Sequence, residues 1–170
     1  MKYFSIAYWS TYDPADDTER RYKSYVQSIR PQLPGPLQVF TGAGGPVSLN
    51  DTRLHRVSVN LEKRRAEIEL RGEIKDGSKP QPNTSEWSIV ACGIILRYEG
   101  VVAFSSRSDP EIGLAGPHGY GDHGFDEVEL LAENLYEHRM LFSSGIEIAM
   151  RFTEFTAEYI GVAEATSGER

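Results

Sequence analysis

Residues 135–152 read Leu-Tyr-Glu-His-Arg-Met-Leu-Phe-Ser-Ser-Gly-Ile-Glu-Ile-Ala-Met-Arg-Phe. Two runs flank Ser143-Ser144-Gly145, and in the second Ile146, Ile148, Met150 and Phe152 alternate with other residues. Alternation with a period of two, interrupted by a short glycine-bearing turn, is the signature of a β-hairpin. On such strands neighbouring side chains point to opposite faces, so Glu137 and His138 cannot serve one small acid–base site.

The same pattern recurs upstream. Leu54 to Val59, a turn at Glu62 to Arg65, and then Ala66, Ile68 and Leu70 alternating with Glu67, Glu69 and Arg71 form a second hairpin with one wet face. Trp87 to Phe104 is the most hydrophobic segment, with apolar residues on both faces, as in a central strand or pair of strands. Cys92 lies within it and behaves as a small hydrophobe; Gly100 marks a bulge. Phe125 to Leu131 alternates weakly, and a last strand runs to Tyr159.

One helix precedes these strands. Asp13 suits its N-cap, Pro14 its first turn, and Tyr22, Val26 and Ile29, with Tyr25 beside them, its buried stripe; Pro31 and Pro34 end it. Before the helix, Phe4, Ile6 and Tyr8 alternate with Tyr3, Ala7 and Trp9, which predicts a strand covered on both sides. Residues 31–52 form a connection with at most a short strand at Leu37 to Phe40, and Asp76 to Glu86 and residues 105–124 form loops. The expectation is an α+β fold: a mainly antiparallel sheet of about six to eight strands with one N-terminal helix packed on it. Residues 1–165 make one domain and 166–170 a frayed tail.

Of the 170 residues, 39% are hydrophobic and 11% aromatic, which supports a packed core and argues against disorder. The N-terminal run lacks the cleavage pattern of a signal peptide, and charges interrupt every apolar run, so no membrane association is expected. With a single cysteine no internal disulfide forms, and a cytoplasmic, bacterial-type protein is expected.

The formal net charge of −7 is unevenly distributed. No Lys or Arg occurs from 108 to 138, whereas Asp109, Glu111, Asp122, Asp126, Glu127, Glu129, Glu133 and Glu137 all do. A dense patch of one sign steers a partner of the other, so these acids predict a surface for a basic protein partner. The same acidity opposes nucleic-acid binding.

An alternative uses the loop 118–127, rich in glycine, where His118, Asp122 and His123 offer metal ligands for a metal-binding module or metal-dependent enzyme. Thr41 to Pro46 lacks the Lys followed by Ser or Thr that ends a phosphate loop, and no serine or cysteine has the setting of a nucleophile. A non-enzymatic binding protein without a cofactor is the leading expectation, with the oligomeric state left open.

Leu49 to Leu54, and Leu135 to Phe142 followed by Gly145 to Ile148, resemble small uncharacterised bacterial proteins, some of them immunity proteins of polymorphic toxin systems. The resemblance implies a cytosolic, immunity-type inhibitor that binds its cognate toxin.

Overall fold

The structure is a computed structural model that describes residues 1–11, 17–80, 87–108 and 119–161. It is α+β, with nine strands among the described residues, all paired antiparallel within two sheets. The first sheet joins β1 (Val47–Ser48), β3 (Arg65–Pro80), β4 (Trp87–Glu99) and β9 (Glu154–Tyr159) in that order, with β2 (Arg53–Asn60) also on β3. The second runs β5 (Ala103–Arg107), β8 (Glu147–Phe152), β7 (Leu135–Phe142), β6 (His123–Ala132).

Alternation sets which residues meet. Ile68 and Leu70 of β3 and Ile94 and Leu96 of β4 share one core with Val128, Met140, Ile148, Met150 and Phe152 of the second sheet. Each such side chain, fully withdrawn from water, contributes about 1.5–3 kcal/mol. Both hairpins are formed where alternation places them, at β2–β3 and β7–β8. Gly100, with φ +62°, sits in the turn between β4 and β5, where the chain crosses from one sheet to the other, and is not a bulge.

Helix α2 (Thr18–Ile29) buries Tyr22, Val26 and Ile29 as the spacing predicts. Its N-cap is Asp17; Asp13 and Pro14 lie outside the described residues. Tyrosines from this helix close the outer edge of β6: Tyr22 Oη accepts the Val128 N–H at 2.6 Å and Tyr25 Oη the Leu130 N–H at 3.2 Å.

Several expectations are corrected. The N-terminal run is not a strand: the chain bends at Tyr3, and Ile6–Ser10 form a short helix, α1, with no buried residue. Its amides bond to a side chain instead of a neighbouring strand, which removes the reason for a ladder. Leu37 to Phe40 is likewise no strand but a 3₁₀ turn at Leu37–Val39. β3 extends to Pro80, into the segment expected to be a loop, and β5 occupies the start of the next one. Cys92 is exposed, because β4 keeps one face towards solvent at that point. The tail 166–170 lies outside the described residues. No helix among the described residues is long and apolar enough to cross a membrane.

Candidate functional site: the outer face of the second sheet

Register and alternation fix the composition of this face. Across β5, β8, β7 and β6, one row places Ala103, Arg151, Glu137 and Glu129 side by side, and the next Ser105, Ala149, Arg139 and Glu127. A further row sets Arg107 beside Glu147 and Leu141 beside Phe125. The sheet thereby gathers Glu127, Glu129, Glu137 and Glu147, three of them among the predicted acids.

The acids are heavily engaged. Glu137 is 3% exposed and pairs with both Arg139 and Arg151. Arg139 also reaches Glu129 at 2.9 Å and Glu127 at 3.6 Å. Burial alone would raise the Glu129 carboxyl, but Lys2, at 2.7 Å, and Arg139 hold it below the usual carboxylate range. Arg107, well exposed, lies 3.5 Å from Glu147. Between these arginines a shallow depression of about 280 Å³ opens over the small side chains Ala103, Ser105 and Ala149.

Glu127, 2% exposed, does something a solvated acid does not. One of its oxygens accepts the N–H groups of Tyr3 and Phe4, each at 2.7 Å, and the other that of Lys2 at 2.8 Å. Three consecutive amides of a segment that bends at Tyr3 thus converge on one carboxylate, and hydrogen bonds to a charged acceptor are the strong class. The segment continues as an aromatic layer. Phe4 stacks on Phe125 with ring centres 4.7 Å apart, Trp9 meets Phe125 edge-on at 5.5 Å, and Tyr3 lies against Tyr22 and Tyr25. Residues 1–10 are therefore a strap laid over the acid-bearing end of β6.

The remaining predicted acids do not join this face. Asp122 is partly exposed and pairs with Arg53 at 2.8 Å, while Glu133 stands exposed in the β6–β7 turn. Asp126 is buried on the opposite side, so a surface made of all eight acids does not exist; Asp109 and Glu111 lie outside the described residues.

Asp126 belongs to a polar cluster between the sheets. Its Oδ2 lies 3.4 Å from His138 Nε2, and the other ring nitrogen, Nδ1, is 2.9 Å from Tyr98 Oη. A carboxylate facing Nε2 favours the proton there, which leaves Nδ1 to accept from the phenol. Carboxylate, imidazole and phenol in line resemble a proton relay, but His138 and Tyr98 are both 0% exposed. With no route for a substrate, the array ties β4 to β7 across the core. Burial keeps the Tyr98 phenol well above its ordinary pKa.

His123 completes the cluster, 1% exposed and edge-on to Phe142, with neither ring nitrogen in a well-formed hydrogen bond among the described residues. Burial pushes its pKa down, partly opposed by Asp126. The Asp126 carboxyl, which burial alone would raise, is held low by His138 and His123.

The predicted metal ligands are not brought together. Asp122 faces solvent, the adjacent His123 faces the core, and His118 lies outside the described residues. Among the described residues no group of three or more His, Cys, Asp or Glu is placed to hold a metal ion. As expected, Glu137 and His138 face opposite sides of β7.

Sequence reasoning missed the strap and the arginines that hold Glu137. The signal for the strap was present in the aromatic density of Tyr3, Phe4, Tyr8 and Trp9, but its destination was not. Neither models of known protein families nor the curated proteins match the chain.

Proposed function

We propose that the chain is a non-enzymatic binding protein, an immunity-type inhibitor, that takes a basic protein partner on the outer face of its second sheet. The observation that carries this reading is the strap itself. The face already holds a chain segment through amides on Glu127 and a cation, Lys2 Nζ, on Glu129. Carboxylates that are positioned and partly desolvated by Arg139 discriminate by charge and by the spacing of donors. The net charge of −7 adds long-range attraction for a basic partner.

The reading differs from the sequence-based one in location. Glu127, Glu129 and Glu137 are retained with Glu147, and Asp126 is removed because it lies in the core. Asp122 and Glu133 sit off this face and act through the general field alone.

A direct test measures binding of a basic polypeptide encoded beside this one, by titration at two salt concentrations. Affinity should fall steeply with salt and drop further in the Glu129→Gln protein. Binding that is absent at low salt, or indifferent to both salt and substitution, rejects the proposal.

A further inference from the structure

We propose that residues 1–10 are an intramolecular stand-in for the partner, and that the partner engages by displacing them with a segment carrying a basic residue followed by aromatics. This rests on the reading of the second sheet's outer face as a site for a basic partner.

The strap is held mostly by polar contacts and partly buried rings, among them the Met1 ammonium on Glu147 and the Tyr8 hydroxyl on Glu19. Phe4 is its one buried residue, and α1 buries none. A gap of about 220 Å³, lined by Met1, Ser5 and Ile6 of the strap and by Arg107, Leu141 and Glu147 of the sheet, remains beside it. What the strap does contact is chosen chemically. Lys2 Nζ lies 2.7 Å from Glu129 and 5.4 Å from the centre of the Tyr25 ring, a cation held between a carboxylate and an aromatic face. Phe4 fills the site over Phe125 and beside Tyr22. Glu127 reads the backbone between them.

Uncovered, Glu127 and Glu129 would be carboxylates beside open aromatic rings, with the strap's donors gone. Water and Arg139 would then hold the two carboxylates, but the amide donors, the Lys2 cation and the apolar cover of Phe125 would be lost, so a segment that supplies them is favoured on this surface. The requirement is for a chemistry and not for these particular residues, and a foreign segment of the same pattern meets it. A tethered strap competes with any such segment at an effective concentration on the order of millimolar, which sets a threshold that weak basic peptides do not pass.

Gly124 offers a way to loosen the strap without touching Glu127. A Cβ at this position would meet the Trp9 ring at 2.1 Å, and its three nearest atoms all belong to that ring. Gly124→Ala should therefore lift Trp9, and Trp9→Ala removes the same anchor from the other side and serves if the first variant folds poorly. The probe is a synthetic peptide of residues 1–8, which lacks Trp9 and so does not meet the added Cβ, labelled at its C-terminus, with a Lys2→Glu peptide as control.

The expected result is that the full-length Gly124→Ala or Trp9→Ala protein binds the peptide about tenfold or more tightly than the unaltered protein. The control peptide should not bind, and Glu129→Gln added to the loosened protein should weaken binding. Equal, weak binding to loosened and unaltered proteins overturns the inference. If the neighbour-encoded basic polypeptide still binds in a salt-dependent way, only displacement has failed; if it does not, the reading of the face has failed with it. Concentration-dependent dimers of the loosened protein that exclude the peptide also overturn it, because the occupant is then a second copy of this chain.

Discussion

The hydroxyl of Tyr22 accepts the amide N–H of Val128 at 2.6 Å and donates to the carbonyl of Gly42 at 2.5 Å. One side chain of α2 thereby satisfies an edge-strand donor of β6 and an acceptor in the connection that packs against it. Burial raises its phenol pKa far above the ordinary value, which keeps it a neutral donor. An open strand edge invites pairing with other chains, and this one is closed by tyrosines.

Tyr22→Phe should cost about 2–3 kcal/mol, since it strands two buried backbone groups at once. Tyr25→Phe, at a half-buried position with one such bond, should cost about 1 kcal/mol. Urea unfolding of the two variants would test the ordering; equal costs would show that water replaces the Tyr22 hydroxyl.

Gly42→Ala should destabilise by about 1–3 kcal/mol. A Cβ there would fall 2.1 Å from Asp126 Oδ2, and the carboxylate is confined by His138 behind it. Gly35→Ala, where nothing lies within 4 Å of the added atom, is the control and should be close to neutral. Thermal midpoints of the pair decide this.

Glu127→Ala should release the strap and lower stability by about 2–4 kcal/mol, because Lys2, Tyr3 and Phe4 lose a charged acceptor. Glu129→Ala, a partly exposed ion pair, should cost about 1 kcal/mol or less. Hydrogen exchange at the amides of residues 2–4 is the specific readout. Those amides should lose protection in Glu127→Ala and keep most of it in Glu129→Ala.

Stability should fall on mild acidification. The folded-state pKa of His123 lies below its unfolded value of 6.5, so the unfolded chain binds the extra proton first. Its contribution is intact above pH 6.5 and is lost as pH drops from there towards the lowered folded value. Asp126, also shifted down, adds a separate loss below its ordinary value of 3.8. His123→Gln keeps a polar, non-titrating group and should flatten the slope of unfolding free energy between about pH 6.5 and 5. An unchanged slope would mean that His123 does not stay neutral in the folded core.

The sequence by itself determined the class of fold. Period-two alternation around Ser143 to Gly145 and from Leu54 to Leu70 placed both hairpins, and the Tyr22, Val26, Ile29 spacing placed the helix and its buried stripe. These are local consequences of backbone geometry, which links residues two to four positions apart. It also located the acids of β6 and β7, without separating the buried Asp126 from Glu127, Glu129 and Glu137.

Only the tertiary structure decided what those acids face. The partners of Glu127 are Lys2, Tyr3 and Phe4, separated from it by 125, 124 and 123 residues, and no local pattern reports a contact that distant. The N-terminal run alternates like a strand, yet its amides find a carboxylate and its rings find Phe125, which makes it a strap. A count of charges gives sign and density along the chain. Whether a charge meets water, an arginine or a backbone amide depends on which surfaces folding brings together.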